Sequence, residues 1–161
     1  MQVVRVLVDA DACPVKEIIL RLAKQRSIPV IMVIDTSHEL DDGYSTIITV
    51  DKGSDSGDYA IANMATCYDI VVTQDYGLAA MILAKGASAI NQNGLVYTNE
   101  NIDNLLQRRY IGQKIRRGGG RTKGPKKRSR EYDKRFENAF DKMLGSKFID
   151  DFSSAKPEDQ Q

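Results

Sequence analysis

The chain has 161 residues, 42% of them hydrophobic and 28% charged, enough for one domain with a core, and no apolar run reaches the roughly 20 residues that cross a bilayer. Two cysteines, Cys13 and Cys67, give neither a disulfide framework nor a zinc spacing and suit a reducing cytoplasm, while a single histidine, His38, excludes a site built on imidazole pairs. The net charge of +1 conceals a segregation: residues 1–103 hold 7 Lys/Arg against 14 Asp/Glu, residues 104–130 hold 11 and no acid, and residues 131–161 hold 5 against 8. An acidic body with a concentrated basic arm implies a polyanionic partner.

The start leads straight into the apolar run Val3 to Val8, which reads as a strand and not as a signal peptide, and ends in Asp9-Ala10-Asp11. Pro14 stands where a first helical residue belongs, with Val15, Ile18, Ile19 and Leu22 following at helical spacing to about Ser27. Val30 to Ile34 is a second strand, tipped by Asp35. A polar loop, Thr36 to Gly43, leads to a third strand, Thr46 to Val50. A helix is predicted from about Ser56 to Cys67, then a fourth strand, Ile70 to Thr73, a helix over Leu78 to Leu83 closed by Gly86, and a short fifth strand, Ala87 to Ile90.

Strands alternating with helices predict a doubly wound α/β fold with a mainly parallel sheet. Asn93-Gly94 makes a turn, and Thr98 caps a helix carrying Ile102, Leu105 and Leu106, so the α/β body extends to about residue 110. Residues 111–130 form a basic stretch with a Gly-rich, low-complexity run from Gly118 to Arg130, read as a flexible segment. Tyr132, Phe136, Ala139, Phe140 and Met143 then form one apolar stripe, so Glu131 to Leu144 is an amphipathic helix that docks back, followed by a tail from about Ser146.

Three acidic features belong to the ends of these elements. Asp9 and Asp11 lie two apart, so a strand continuing through them projects both to one side; otherwise Asp11 caps the helix at Pro14. Asp55 and Asp58 are ligand candidates or a helix cap and its first-turn acid. Asp75, in Thr73-Gln74-Asp75-Tyr76-Gly77, is a ligand candidate or a turn residue before the next helix. Open α/β sheets bind ligands beyond the carboxyl ends of their strands, and gathered carboxylates repel unless a cation is bound. The cluster therefore suits one or two Mg²⁺ or Mn²⁺ ions, held by Asp9, Asp11, Asp58 and Asp75 with Asp55 and Asp35 as further candidates. Thr73 is a hydroxyl partner for substrate or a metal-bound water. Cys13, before a helix start, has a reactive-thiolate reading beside the simpler one of a small corner-filling side chain.

Val8-Asp9-Ala10-Asp11-Ala12-Cys13-Pro14-Val15-Lys16, Gly53-Ser54-Asp55-Ser56-Gly57-Asp58 and Val72-Thr73-Gln74-Asp75-Tyr76-Gly77-Leu78-Ala79 resemble the bacterial YaiI/YqxD family of uncharacterised proteins. A strand ending in Asp9, an acidic helix start at Asp58 and the run ending in Asp75 also resemble the PIN-domain nucleases. The likeness runs from about Val4 to Met143. It implies a PIN-like parallel sheet flanked by helices, with an acidic cluster at Asp9, Asp58 and Asp75. The further glutamate that PIN domains carry after the first helix has no counterpart here.

The leading reading is a metal-dependent, nuclease-like hydrolase acting on nucleic acid, RNA rather than DNA, in the cytoplasm. Asp9, Asp58, Asp75 and Thr73 form its catalytic set, and Lys114, Arg116, Arg117, Arg121, Lys123, Lys126, Lys127, Arg128 and Arg130 contact phosphates. Tyr110 and Tyr132 flank that arm as base-stacking groups. Two alternatives stand beside it. One is a non-catalytic RNA-binding module with a vestigial cation site. The other is a haloacid-dehalogenase-type phosphatase with Asp9 as nucleophile and Asp11 as general acid/base. The oligomeric state is not legible in the sequence.

Overall fold

The computed structural model describes residues 4–35, 40–53, 56–119 and 128–154, with 109–113, 115–117 and 148–154 described by backbone only. In chain order the elements are β1 (Val6–Asp9), α1 (Lys16–Gln25), β2 (Val30–Asp35), β3 (Thr46–Val50), α2 (Ser56–Met64), β4 (Ile70–Val72), α3 (Tyr76–Ala84), β5 (Ser88–Ile90), α4 (Asn99–Arg117) and α5 (Arg130–Ser154). The five strands form one sheet in the order β3-β2-β1-β4-β5, every pairing parallel. This is the doubly wound α/β fold that the sequence pattern predicts. Its strand order reverses between β1 and β4, and that reversal opens a crevice at their carboxyl ends.

Alternation along the strands builds two cores. Val6, Val8, Met32, Ile34, Ile70 and Val72 pack on one face against Ile19 and Leu22 of α1 and Phe136, Phe140 and Leu144 of α5. Leu7, Val33, Val71 and Ala89 pack on the other against Ile61 of α2, Leu78 and Ile82 of α3 and Ile102 of α4. A ten-residue helix such as α1 is marginal alone, so its apolar face, with Ile19, Leu22 and Ala23 buried, holds it in place. The predicted C-terminal stripe docks back as expected. Phe136 and Phe140 are fully buried and stack at 5.2 Å between ring centroids.

Several boundaries differ from the sequence expectation. Helix α1 begins at Lys16, after a turn through Pro14 and Val15. Helix α2 ends at Met64, short of Cys67, because the buried Asp69 carboxylate takes the Thr66 N–H at 2.8 Å and folds 66–69 into a turn. Helix α4 continues to Arg117, into the stretch read as flexible, since 99–117 is rich in helix formers and lacks proline. Helix α5 continues to Ser154, past Leu144, because the lone Gly145 costs only about 1 kcal/mol in a helix. His38, the Gly-rich run 120–127 and residues 155–161 lie outside the described residues. No helix among the described residues is long and apolar enough to cross a membrane.

Candidate functional site

β1 ends at Asp9, and β4 hands over to Thr73 and Asp75 beside it, at the point where the strand order reverses. Leu7 and Val71 face the same core, and side-chain alternation carries that face forward to Asp9 and Thr73. The two meet. The buried Thr73 hydroxyl donates to Asp9 Oδ2 at 3.1 Å and accepts the Asp75 N–H at 3.0 Å. Asp75 is also the N-cap of α3, its Oδ1 accepting the Leu78 N–H at 3.0 Å. The turn reading of Asp75 is therefore met at the start of α3.

Asp11 does not cap α1, whose start carries no side-chain cap. Its Oδ2 instead accepts the backbone N–H of Asp35 at 3.0 Å, tying the loop after β1 to the end of β2. Ala12, at φ +58, makes the reversal between this loop and α1. Asp9, Asp11, Gln74, Asp75 and Tyr76 line one cavity of about 430 Å³. Burial pushes the Asp9 carboxyl above its ordinary range, and the charges of Asp11 and Asp75 push it further, while the Thr73 hydroxyl opposes them.

Asp58 lies in the first turn of α2 and is not among the residues lining this cavity. The start of its helix sits over Val33, the residue paired with Asp9, since a Cβ on Gly57 would lie 3.9 Å from the Val33 side chain. Asp35 contributes its backbone and ends β2. Asp55 lies outside the described residues. Among the described residues, no three Asp, Glu, His or Cys side chains group tightly enough to hold a metal ion by themselves.

Three further residues stand around the site, and of these Tyr97 carries no sequence signal. Tyr97, buried after β5, donates its hydroxyl to the Thr73 carbonyl at 3.1 Å and meets Tyr76 edge-on at 6.2 Å, and burial pushes its phenol above the ordinary range. Gln74 Nε2 reaches the Ala12 carbonyl at 3.4 Å across the crevice. Cys13 is partly buried, and burial pushes its thiol up, against the pull of Lys16 and Arg128, which argues for the corner-filling reading.

Of the basic residues singled out, Lys114 is exposed on α4 and Arg130 opens α5, also exposed. Arg116 and Arg117 lie on the last turn of α4, described by backbone only, and Arg121, Lys123, Lys126 and Lys127 lie outside the described residues. Arg128 acts as a staple. It contacts Asp133 at 2.7 Å, Asn93 Oδ1 at 2.8 Å and the Gln92 carbonyl at 2.8 Å.

A family model described as "Uncharacterized BCR, YaiI/YqxD family" matches residues 7–146. The chain is 64% identical over 135 residues to a UPF0178 protein of Ruminiclostridium cellulolyticum, covering 84% of this chain and 88% of the other. It is 52% identical over 143 residues to a UPF0178 protein of Exiguobacterium sibiricum, covering 89% and 98%. Among solved structures it resembles a mutant of Rae1 (YacP) from Bacillus subtilis, at 19% identity and a TM-score of 0.40, over 72% of this chain and 80% of that one. The length of the first match and the identity of the relatives settle the family: this chain belongs to the uncharacterised YaiI/YqxD proteins.

Proposed function

We propose that this protein is a nuclease-like phosphodiesterase that acts on RNA in the cytoplasm with a divalent metal at the Asp9 cavity. One observation carries the reading: Asp9, Asp11 and Asp75 line a single cavity at the crossing point of the sheet. Their mutual repulsion, felt at Asp9, is what a bound cation relieves. The all-oxygen donor set fits Mg²⁺ or Mn²⁺. Because fewer than three ligands come together, it fits an ion that keeps several waters and leaves positions for a substrate phosphate. Asp9 and Asp75 would hold it with Asp11 alongside, and Asp58, Asp55 and Asp35 are candidates for water-mediated contact. When bound, such an ion lowers the pKa of a water and offsets charge at the phosphate.

The chain's own residues do the positioning. Thr73 fixes Asp9 with its hydroxyl, and Tyr97 fixes Thr73 through its carbonyl. Leu78 N–H holds Asp75 at the positive end of α3, which lowers the cost of its charge. The three carboxylates repel an incoming phosphate, so the strand must be held elsewhere. The basic residues of 104–130 supply that hold in this reading.

The test is a varied RNA pool incubated with the protein in Mg²⁺ and Mn²⁺. Cleavage should collapse in Asp9→Asn and Asp75→Asn with folding retained. Metal at 100 times its Kd should add about 2.7 kcal/mol, roughly 5–10 °C of Tm, to the wild type alone. No cleavage in Mg²⁺, Mn²⁺ or Zn²⁺ would sink the catalytic reading. A non-catalytic RNA-binding module then takes its place, a reading favoured by the absence of a tight ligand group among the described residues. A phosphatase using Asp9 is weakened because Asp11, its acid/base partner, is engaged by the Asp35 backbone. Beryllofluoride, which mimics an aspartyl phosphate, should leave the protein unchanged.

A further inference from the structure

Two surface cavities of about 720 and 500 Å³ share Ala139 and Lys142, and so make one groove along α5. The opposite wall is the turn after β5, then β5 itself, the edge strand of the sheet. Arg135, Lys142 and Lys147 line this groove, and among the described residues no aspartate or glutamate does. It is the electrostatic inverse of the Asp9 cavity. Two acids of α5 point away: Glu137 pairs with Arg21 and Asp141 with Arg26, both at 2.7 Å, against α1. Arg135 pairs with Glu131 at 2.6 Å, but both are well exposed, and such a pair contributes little that a phosphate would not replace.

The groove also offers groups for bases. The Arg135 guanidinium lies 5.8 Å from the centroid of the half-buried Tyr132 ring, and the amides of Asn93 and Asn138 share the same cavity. From Arg135 to Lys147 the helix rises about 18 Å, room for a few nucleotides. One end of the groove reaches the edge of the sheet that holds the acidic cavity. Ile90, last in β5, accepts the Thr73 N–H at 3.0 Å, and the groove begins at Asn91, the next residue.

We propose that this groove is a binding track for single-stranded RNA, with phosphates on Arg135, Lys142 and Lys147 and a base stacked at Tyr132. A single strand is favoured over a duplex because an aromatic platform and side-chain amides serve only unstacked bases. The proposal takes from the functional reading only that the ligand is RNA, and it does not require cleavage.

The test uses the full chain and a fluorescein-labelled oligo(U) 12-mer, by anisotropy over a salt series in EDTA. Gln at Arg135, Lys142 and Lys147 together should lower the log–log salt slope by about 2, at about 0.7 per phosphate on a single strand. Tyr132→Leu should weaken binding about 5-fold or more. Gly43→Ala, far from both sites in the chain, should bind like wild type, and the groove variants should keep their melting transitions. Wild-type affinity and slope in both groove variants would overturn the proposal. So would a wild type that binds no oligo(U), or one that binds a duplex equally well. Because metal is absent throughout, failure of the cleavage reading leaves this result standing, while cleavage retained without groove binding would refute the groove alone.

Discussion

Replacing Gly94 by alanine tests the seat of α5 and with it the wall of the groove. Gly94 lies at φ +88, and a Cβ built there would stand 2.6 Å from both the carbonyl carbon and oxygen of Arg135 and 2.9 Å from the Phe136 nitrogen. Those are backbone atoms, so no rotamer change relieves the clash. To restore a contact of about 3.5 Å the helix must retreat by about 1 Å, and a gap of that size forfeits up to about half of each dispersion contact. Phe136, Phe140 and Leu144, all fully buried, sit on the helix that moves. Complete loss of one buried phenylalanine costs about 3–5 kcal/mol. Partial loss over three side chains, added to about 1–2 kcal/mol for a left-handed alanine, puts Gly94→Ala at about 3–4 kcal/mol. Gly43 supplies the control, at φ +72 with nothing within 4 Å of its would-be Cβ. Its alanine variant should cost only the conformational part, about 1–2 kcal/mol. Urea melts read both costs, and in a chain of this length each kcal/mol is worth roughly 2–4 °C. Equal costs at the two glycines would refute the close approach as a source of stability.

Two further outcomes rest on buried carboxylates. Asp9 is raised above its ordinary value in the folded protein, chiefly by burial. Its ionisation therefore opposes folding, with no penalty below the unfolded pKa of about 3.8 and a growing one as pH rises through the folded value. In metal-free buffer Asp9→Asn should be more stable than wild type at pH 7.5 and indistinguishable from it near pH 3.5; a less stable variant at pH 7.5 would contradict the burial argument. Arg5 reaches the fully buried Asp69 through two hydrogen bonds of 3.0 and 2.8 Å, so Arg5→Met should cost about 3–5 kcal/mol by stranding the carboxylate. Adding Asp69→Asn should recover part of that loss in the same urea melts, and no recovery would place the cost in packing instead.

The strands were legible because buried parallel strands are short apolar runs with few other interpretations, and β3 follows its predicted limits. Helix ends were less so, since long-range groups set them. Nothing within α2 says that Asp69, held by Arg5, will draw Thr66 out of the helix. At the site, Asp9 and Asp75 could be named because each ends an apolar run, and the Thr73 hydroxyl joins them. Their meeting depends on β1 pairing with β4, which follows from the winding of the sheet and not from either segment. Asp58 was named for an acidic helix start, yet that start lies over Val33 and Asp58 is not among the residues lining the cavity. Tyr97 was missed because one aromatic residue after a short strand looks like ordinary core, and only the fold brings its hydroxyl to Thr73.

Charge counted along the chain misplaces part of the basic surface. Residues 104–130 hold eleven cations, but Arg128 among them is engaged by Asp133, Asn93 and Gln92. Residues 131–161 carry more acids than bases, yet they provide the groove cations. A helix reconciles the two, because residues three or four apart share a face and a linear window averages over all faces. Glu137 and Asp141 lie on the side that pairs with α1, and Arg135 and Lys142 on the side that lines the groove. Two of the acids that lower the segment's net charge, Glu137 and Asp141, therefore fasten α5 to α1 and leave the opposite side to Arg135 and Lys142. An anionic ligand drawn to this side of α5 would meet Arg135 and Lys142, and would displace the exposed Glu131 from Arg135.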